Sequence, residues 1–252
     1  MKKQFRPCRT CANKPGPKNK PGFFYDEWKG AKVIVECKCH QDYVKERLFY
    51  IKANKAGIWP ESLEYNPSND YVGEKSLKNL ERFEKYVHNF EEYKENAVYL
   101  WGGNGTQKTT LAQWAGAHLL DKGYSVRFVL MQTLLMSLTS GFEDDEKRSL
   151  IETNYYKPDL LIVDESFGKD KVTLYGSGYQ LPFLDRFLRE RIDVHRKGIL
   201  FISNVDSSEI EKNKFSKSIQ DLVMRKTYKT ILKFEDNYLA AKTDFNVDSL
   251  FD

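Results

Sequence analysis

The sequence predicts an α/β protein in which helices flank a parallel β-sheet, preceded by a small cysteine-bearing module. Short apolar runs at 97–101, 160–163 and 198–203 have the length of buried strands and alternate with stretches of helical periodicity. Each run ends in glycine or polar residues, at the point where open α/β sheets bind ligands. All four cysteines lie before residue 40.

Length and composition favour a folded protein of one or two domains, because 252 residues with 40% hydrophobic content can bury a core. No run approaches the roughly 18 to 20 apolar residues that cross a bilayer, and the N-terminus lacks the apolar stretch of a signal peptide. We therefore expect a soluble, cytoplasmic protein without a membrane partner. The net charge of +4 permits nucleic-acid binding without arguing for it.

The cysteines form two groups. Cys8 and Cys11 make a C-x-x-C pair, and Cys37, Cys39 and His40 follow after 25 intervening residues. This spacing suits a zinc ribbon whose ligands are four thiolates, or three thiolates and His40. The alternative is four reduced, partly buried cysteines. We assign residues 1–55 to a zinc-binding module with an exit helix over 41–54, and residues 56–252 to a second domain.

Two stretches between the motifs have less specific patterns. A basic, proline-rich stretch at 14–20 precedes the aromatic residues Phe23, Phe24 and Tyr25. This stretch, 14–25, is the predicted finger tip of the cysteine-bearing module. It either contacts nucleic acid or a partner protein, or is a solvated loop over a small aromatic core. Segment 60–73 has the composition of a linker, and 76–90 has the apolar spacing of an amphipathic helix.

The strand at 97–101 passes through a glycine turn into Lys108, Thr109 and a helical pattern, which is the arrangement of a P-loop. In a P-loop, backbone N–H groups and the helix N-terminus face the β-phosphate, and the lysine neutralises the phosphate oxygens. The threonine hydroxyl is then placed to hold Mg²⁺. The predicted phosphate-binding residues are Gly102, Gly103, Asn104, Gly105, Thr106, Gln107, Lys108, Thr109 and Thr110.

One residue departs from the P-loop pattern G-x-x-x-x-G-K-[ST], because Gln107 stands where glycine is expected. If this position needs a positive φ, a residue other than glycine costs roughly 1–2 kcal/mol. A folded domain tolerates that cost.

The other two predicted strands end in polar side chains. Asp164 and Glu165 follow 160–163, where the first can hold Mg²⁺ and the second can orient and deprotonate an attacking water. Asn204 follows 198–203, where it either positions that water or forms a turn. The basic helix between these strands, over 185–197, is predicted to be a solvated or subunit-facing surface, with DNA contact as the second interpretation.

These residues resemble the AAA+ ATPases of the DnaC/IstB group over about 56–234, in the blocks LWGGNGTQKTTLA, LLIVDE and ILFISN and in the arginine before the last strand. The resemblance implies Lys108 and Thr109 as P-loop residues, Asp164 and Glu165 as Walker B acids, Asn204 as sensor 1 and Arg225 as arginine finger. From the residues alone, a surface arginine in a salt bridge is the more common case for any single arginine such as Arg225. Gln107 and the absence of a sensor 2 arginine in 235–239 imply slow turnover or altered nucleotide sensing.

The function that the resemblance implies is an ATPase that uses Mg²⁺ and loads a replicative DNA helicase onto DNA. Its partners would be the helicase, single-stranded DNA and further copies of the chain, associated through the ATPase domain. The cysteine-bearing N-terminal module of this chain resembles the module with which some loaders engage the helicase. A transposition helper ATPase is one alternative. A nucleotide-binding adaptor without hydrolysis is another, favoured by Gln107 and disfavoured by Glu165.

Overall fold

The computed structural model describes residues 6–14, 16, 20–140, 144–168, 180–227 and 229–237. The chain divides into two compact units, 1–54 and 55–252, and the division falls inside a long helix, Lys38–Ala56. None of the helices in these described ranges combines the length and the apolar character needed to cross a membrane.

The first unit is built on a β-hairpin and a small buried cluster. Its elements are α1 (Arg9–Ala12), β1 (Phe23–Trp28), β2 (Ala31–Glu36) and α2 (Lys38–Ala56). The two strands pair antiparallel, with Phe23 opposite Glu36 and Trp28 opposite Ala31. Cys11, Phe24 and Cys37 form the buried cluster at the base of the hairpin. Within the predicted basic finger tip, residues 15 and 17–19 lie outside the described residues.

The second unit alternates strands and helices along the chain, as the apolar periodicity predicts. Its regular elements are α3 (Pro67–Asp70), α4 (Leu77–His88), α5 (Phe90–Tyr93), β3 (Ala97–Gly102), α6 (Lys108–Asp121), β4 (Val126–Leu130), α7 (Met131–Ser140), α8 (Asp145–Ile151), β5 (Leu160–Asp164), α9 (Leu181–Arg189), β6 (Gly198–Ser203), α10 (Lys217–Thr227) and β7 (Ile231–Phe234). Short 3-10 turns lie at Pro60–Leu63, Ser207–Glu209 and Glu211–Asn213, and π-helical turns at Glu152–Tyr156 and Glu190–Val194.

Five strands of this unit form a parallel sheet in the order β4-β5-β6-β3-β7, which confirms the predicted fold class. Every residue of β5 and β6 is buried, as expected for central strands covered on both faces. Alternate residues such as Tyr99, Val163 and Phe201 pack with α7, α9 and α10. On the other face, Ile162 lies against α6.

Segment 58–73 is part of the folded second unit, so the interpretation of 60–73 within it as a linker is wrong. Ile58 is 2% exposed and packs on Gly116 of α6, where an added Cβ would lie 2.4 Å from the Ile58 Cδ1. The backbone N–H of Trp59 donates to Gln113 Oε1 at 2.8 Å, and Tyr71 is buried. The apolar residues that hold this segment are too widely spaced for either helical or strand periodicity.

Asp236, just after β7, caps the start of α4. Its carboxylate accepts hydrogen bonds from three successive backbone N–H groups, those of Glu74 (3.1 Å), Lys75 (3.0 Å) and Ser76 (2.9 Å). Gly73, at φ 144°, permits the approach, because a Cβ there would lie 2.2 Å from the Asp236 Cβ. The backbone N–H groups of the turn that leads into α4 are therefore satisfied by a residue far along the chain.

The predicted surface helix over 185–197 contains one charged residue that is buried. Arg191 is 0% exposed, and its guanidinium donates to the carbonyls of Tyr155 (2.6 Å), Tyr156 (3.0 Å), Pro158 (2.9 Å) and Gly198 (2.7 Å). Burial lowers the pKa of Arg191. The solvated interpretation is therefore wrong at this residue, which ties the end of a π-helical turn to the entrances of β5 and β6.

We predict that Arg191→Met lowers the free energy of unfolding by about 3 kcal/mol, because it leaves four buried or partly buried carbonyls without their donor. Urea unfolding of the full chain measures this change. Arg186→Met is the matched control: this arginine is 74% exposed and pairs only with Glu190 among the ion pairs of the described chain, so the loss should stay below about 1 kcal/mol. Equal losses in both variants would contradict the prediction.

Candidate functional site

The carboxyl ends of β3, β5 and β6 meet at one edge of the sheet because β6 lies between the other two. The glycine loop, the Asp-Glu pair and Asn204 each follow one of these strands. They line a cleft of about 350 Å³, whose walls are Asn104, Gly105, Thr106, Gln107, Lys108, Thr109, Thr110, Asp164, Glu165, Ile202, Ser203 and Asn204. The structure thus brings together three motifs that are separated by up to about a hundred residues.

The loop after β3 begins at a position that only glycine can occupy. Gly102 has φ 150°, and a Cβ there would lie 1.9 Å from the backbone oxygen of Phe234 in β7. Gly105 has φ 75°, and the buried Thr106 donates from Oγ1 to Gly103 O at 3.0 Å. These features make the backbone turn back towards the start of α6.

Gln107 has φ 60° and ψ 11°, so this position does adopt the left-handed conformation that favours glycine. The strain of roughly 1–2 kcal/mol is partly offset by a side-chain hydrogen bond, in which Nε2 donates to Val72 O at 2.9 Å. Glycine could not make this contact. The glutamine therefore joins the loop to the folded segment in front of α4.

Lys108 is 6% exposed and its Nζ points back into the loop. It donates to Gly102 O (3.0 Å), Gly103 O (2.7 Å) and Thr106 Oγ1 (2.9 Å). Burial lowers the pKa of Lys108 to about 8. A phosphate placed at this ammonium would favour its charged form, since an opposite charge raises the pKa of a lysine.

Thr109 and Asp164 place two oxygen atoms side by side at the cleft. The Thr109 hydroxyl donates to Asp164 Oδ2 at 2.9 Å, and the N–H of Glu165 donates to Asp164 Oδ1 at 2.7 Å. Burial raises the pKa of Asp164. Hydroxyl and carboxylate oxygens are ligands that Mg²⁺ accepts, so the donor set fits this ion.

Glu165 sits in a backbone conformation that its neighbours maintain. Its φ is 52°, and the next residue, Ser166, is fixed to β6 by two contacts: its N–H donates to Ile202 O (2.8 Å), and its carbonyl accepts from Ser203 Oγ (2.5 Å). The sequence analysis missed Ser166 and Ser203. Ser203 ends a buried apolar run, and Ser166 follows the Asp-Glu pair after the run 160–163. A small polar residue at such a place is the pattern that could have indicated both.

Asn204 lies at the end of β6 and reaches the glycine loop. Its Nδ2 donates to Asn104 Oδ1 at 2.6 Å. The side chain therefore faces the cleft. The partner amide of Asn104 could not be read from the sequence, because nothing in the spacing pairs the two.

Arg225, in the last turn of α10, does not line this cleft. Its side chain is 64% exposed, and Nη2 lies 3.9 Å from Asp193 Oδ2. Among the described residues it has the geometry of a surface arginine. A role at a phosphate would require the site of another copy of the chain.

In the first unit, Cys8, Cys11, Cys37 and Cys39 come together with all four Sγ atoms within 4.8 Å of one another, and none forms a disulfide. The Sγ separations of 3.8 Å (Cys8 to Cys11), 3.6 Å (Cys8 to Cys37) and 3.5 Å (Cys11 to Cys39) match the roughly 3.8 Å of a tetrahedral zinc–thiolate site. His40 instead lies with Nδ1 2.6 Å from Glu36 Oε1. The donor set fits Zn²⁺.

Comparison with known proteins identifies relatives of the second unit. The family model "IstB-like ATP binding protein" matches residues 59–172. The chromosomal replication initiator protein DnaA of Aliarcobacter butzleri (strain RM4018) is 24% identical over 144 residues, 56% of this chain and 32% of that protein. The chain thus spans about a third of the length of this relative.

Two solved structures share the fold. The DnaC helicase loader is 19% identical, with a TM-score of 0.52 over 69% of this chain and 98% of that one. A replication initiator DnaA bound to AMPPCP and single-stranded DNA is 17% identical, with a TM-score of 0.56 over 75% of this chain and 58% of that one. With the parallel sheet and the glycine loop already described, these matches show that the second unit shares the fold of these proteins, and the IstB-like match over 59–172 agrees with the resemblance seen in the sequence.

Proposed function

We propose that the cleft binds and hydrolyses ATP. The observation that carries this proposal is the contact of Thr109 with Asp164 beside the buried Lys108. This contact joins the predicted P-loop to the predicted Walker B acids. Lys108 and the loop backbone would hold the phosphates. Thr109 and Asp164 would hold Mg²⁺, which supplies neutralising charge on the phosphate oxygens when it is bound.

Glu165 and Asn204 are the residues we propose for the hydrolytic step. Both line the cleft, and they follow β5 and β6, which are adjacent strands. Glu165 would orient the attacking water and accept its proton, while the Asn204 amide would hold that water or the terminal phosphate. The intact Glu165 argues against the adaptor without hydrolysis.

We further propose that the chain acts as a loader of a replicative DNA helicase, with single-stranded DNA as a partner. The likeness to the DnaC helicase loader, and to a DnaA bound to single-stranded DNA, supports this role. The IstB-like match over 59–172 favours the second candidate, a transposition helper ATPase. Purification of the tagged chain from its native host separates them, because a helicase or a transposase would copurify.

Arg225 is proposed to complete the ATP site of a neighbouring copy. Its exposure on α10, away from the cleft of its own chain, is compatible with this role. The proposal therefore includes self-association of the ATPase domain. Residues 238–239 of the segment that lacks a sensor 2 arginine lie outside the described residues.

The cysteine cluster of residues 1–54 is proposed to hold one structural zinc. The four thiolates fit the ion, and the buried cluster around Cys11, Phe24 and Cys37 is too small to stabilise the unit alone. Cys8, Cys11, Cys37 and Cys39 are then the ligands.

We predict that Lys108→Ala abolishes ATP binding, whereas Glu165→Gln preserves binding and lowers hydrolysis at least about a hundredfold. The first change removes the group that meets the phosphates, and the second removes only the base. Titration with a fluorescent ATP analogue and phosphate release measure the two effects. Equal nucleotide affinity in wild type and Lys108→Ala would exclude the P-loop assignment.

For Gln107, the structure predicts different results with two variants. Gln107→Gly relieves the positive φ but loses the contact with Val72, and Gln107→Ala loses the contact while keeping the strain. We expect Gln107→Ala to destabilise the domain by about 1 kcal/mol more than Gln107→Gly in thermal unfolding. A large fall in ATPase rate with glycine would show that the amide itself acts at the phosphates.

If Arg225 acts in trans, neither Arg225→Ala nor Lys108→Ala protein should hydrolyse ATP at the wild-type rate, but a mixture should recover part of the activity. Each variant supplies the half-site that the other lacks. Phosphate release at several mixing ratios tests this. No recovery at any ratio, with both variants folded and able to assemble, would leave Arg225 a surface residue.

The zinc proposal predicts one zinc per purified chain by elemental analysis, and thiols that react with Ellman's reagent only after a chelator is added. Cys37→Ser should lose most of the metal, while His40→Ala should retain it, because the four clustered donors are cysteine sulfurs and His40 Nδ1 lies against Glu36. Full thiol reactivity in the untreated protein, with no zinc bound, would refute the assignment.

A further inference from the structure

The charge of the chain is distributed unevenly between the two units. Residues 1–54 contain 13 Lys and Arg against 5 Asp and Glu, a formal charge of +8, whereas residues 55–252 contain 27 against 31, a charge of −4. Four thiolates with one divalent cation would still leave the first unit at +6. The modest total of +4 therefore conceals a strongly basic module, which is the electrostatic signature of a polyanion partner.

The hairpin of this module has a lysine where its backbone disfavours one. The turn between β1 and β2 is Lys29 and Gly30, with φ 52° and 77°. Two successive positive φ values define the tight hairpin turn in which Asn-Gly or Asp-Gly is preferred. Lysine costs roughly 1 kcal/mol at the first position. Conformational preference therefore does not explain Lys29.

Aromatic rings flank this tip, each with a lysine over its face. Trp28, adjoining the turn, is 65% exposed, and Lys29 Nζ lies 4.7 Å from the centre of its ring. Lys32 Nζ lies 4.3 Å from the ring centre of Tyr25. Strand alternation puts Trp28 and Tyr25 on opposite faces of the hairpin. Tyr25 is partly buried, so Trp28 is the exposed ring of the tip. An exposed ring beside cations is an element with which proteins hold single strands, through base stacking and phosphate contacts.

We propose that the hairpin tip, formed by Tyr25, Trp28, Lys29 and Lys32, binds single-stranded nucleic acid. A base stacks on Trp28 and the two lysines neutralise neighbouring phosphates. A duplex fits less well because its bases already stack on one another. An acidic protein surface would use the lysines but would not require an exposed indole. The site is separate from the ATP cleft, and it rests on the proposed replication role only for the choice of a single strand as ligand.

The test is fluorescence anisotropy of a fluorescein-labelled oligothymidine of about 20 nucleotides with the full-length, zinc-loaded chain. We expect Trp28→Ala to weaken binding about tenfold and Trp28→Phe to retain most of the affinity, since stacking on one ring contributes about 1–3 kcal/mol. Lys29→Asn, which suits the turn better, should lower the slope of log K against log salt by about 0.7, the value for one phosphate contact.

Lys78→Asn is the matched control, because it removes the same charge from an exposed position on α4 and should leave the affinity unchanged. Wild-type affinity in Trp28→Ala would overturn the proposal, whether or not Lys29→Asn weakens binding. Equal affinity for a duplex of the same length, or equally effective competition by polyglutamate, would also overturn it. ATP affinity of the same variants is measured in parallel and should not change. Loss of nucleic-acid binding is thereby distinguished from failure of the ATP site.

Discussion

The adjacency of β5, β6 and β3 is the constraint on which the candidate site depends. The three strands are almost entirely buried and parallel, so their carboxyl ends open at one edge. The hydrogen bond from Thr109 to Asp164 crosses from the start of α6 to the end of β5, past the end of β6. Any change that shifts one strand along its neighbour separates groups that must act within about 3 Å.

Two buried cations of the second unit illustrate different solutions to one problem. Backbone carbonyls accept hydrogen bonds from Nη1 and Nη2 of Arg191, its buried Nε has no hydrogen-bond partner among the described residues, and the side chain does not line the ATP cleft. Lys108 also donates to backbone oxygens, but it lines the cleft. A buried charge costs several kcal/mol unless it is hydrogen-bonded. The first arrangement is therefore structural, and the second leaves a charge that a phosphate can stabilise further.

Much of the fold followed from local patterns, because apolar runs of strand length and glycine turns act within a few residues. The positive φ at Gln107 was predictable, since its place in the loop demands it, but the hydrogen bond to Val72 was not. That contact joins residues 35 positions apart, Arg191 reaches a carbonyl 36 positions away, and Asn104 meets Asn204 across 100 positions. Such contacts depend on the order of the strands in the sheet. The periodicity of apolar residues along the chain contains no information about that order.

The hydrogen bonds of Asp236 to the turn before α4 affect how the chain folds as it leaves the ribosome. β3 is paired on one side with β7, and the backbone N–H groups of the turn before α4 bond to a carboxylate that is synthesised about 160 residues later. Until then, one edge of β3 and this turn have unpaired backbone groups. Synthesis at about 5–20 residues per second leaves this edge open for roughly ten to thirty seconds. Premature pairing with another nascent chain is the hazard that this chain order creates.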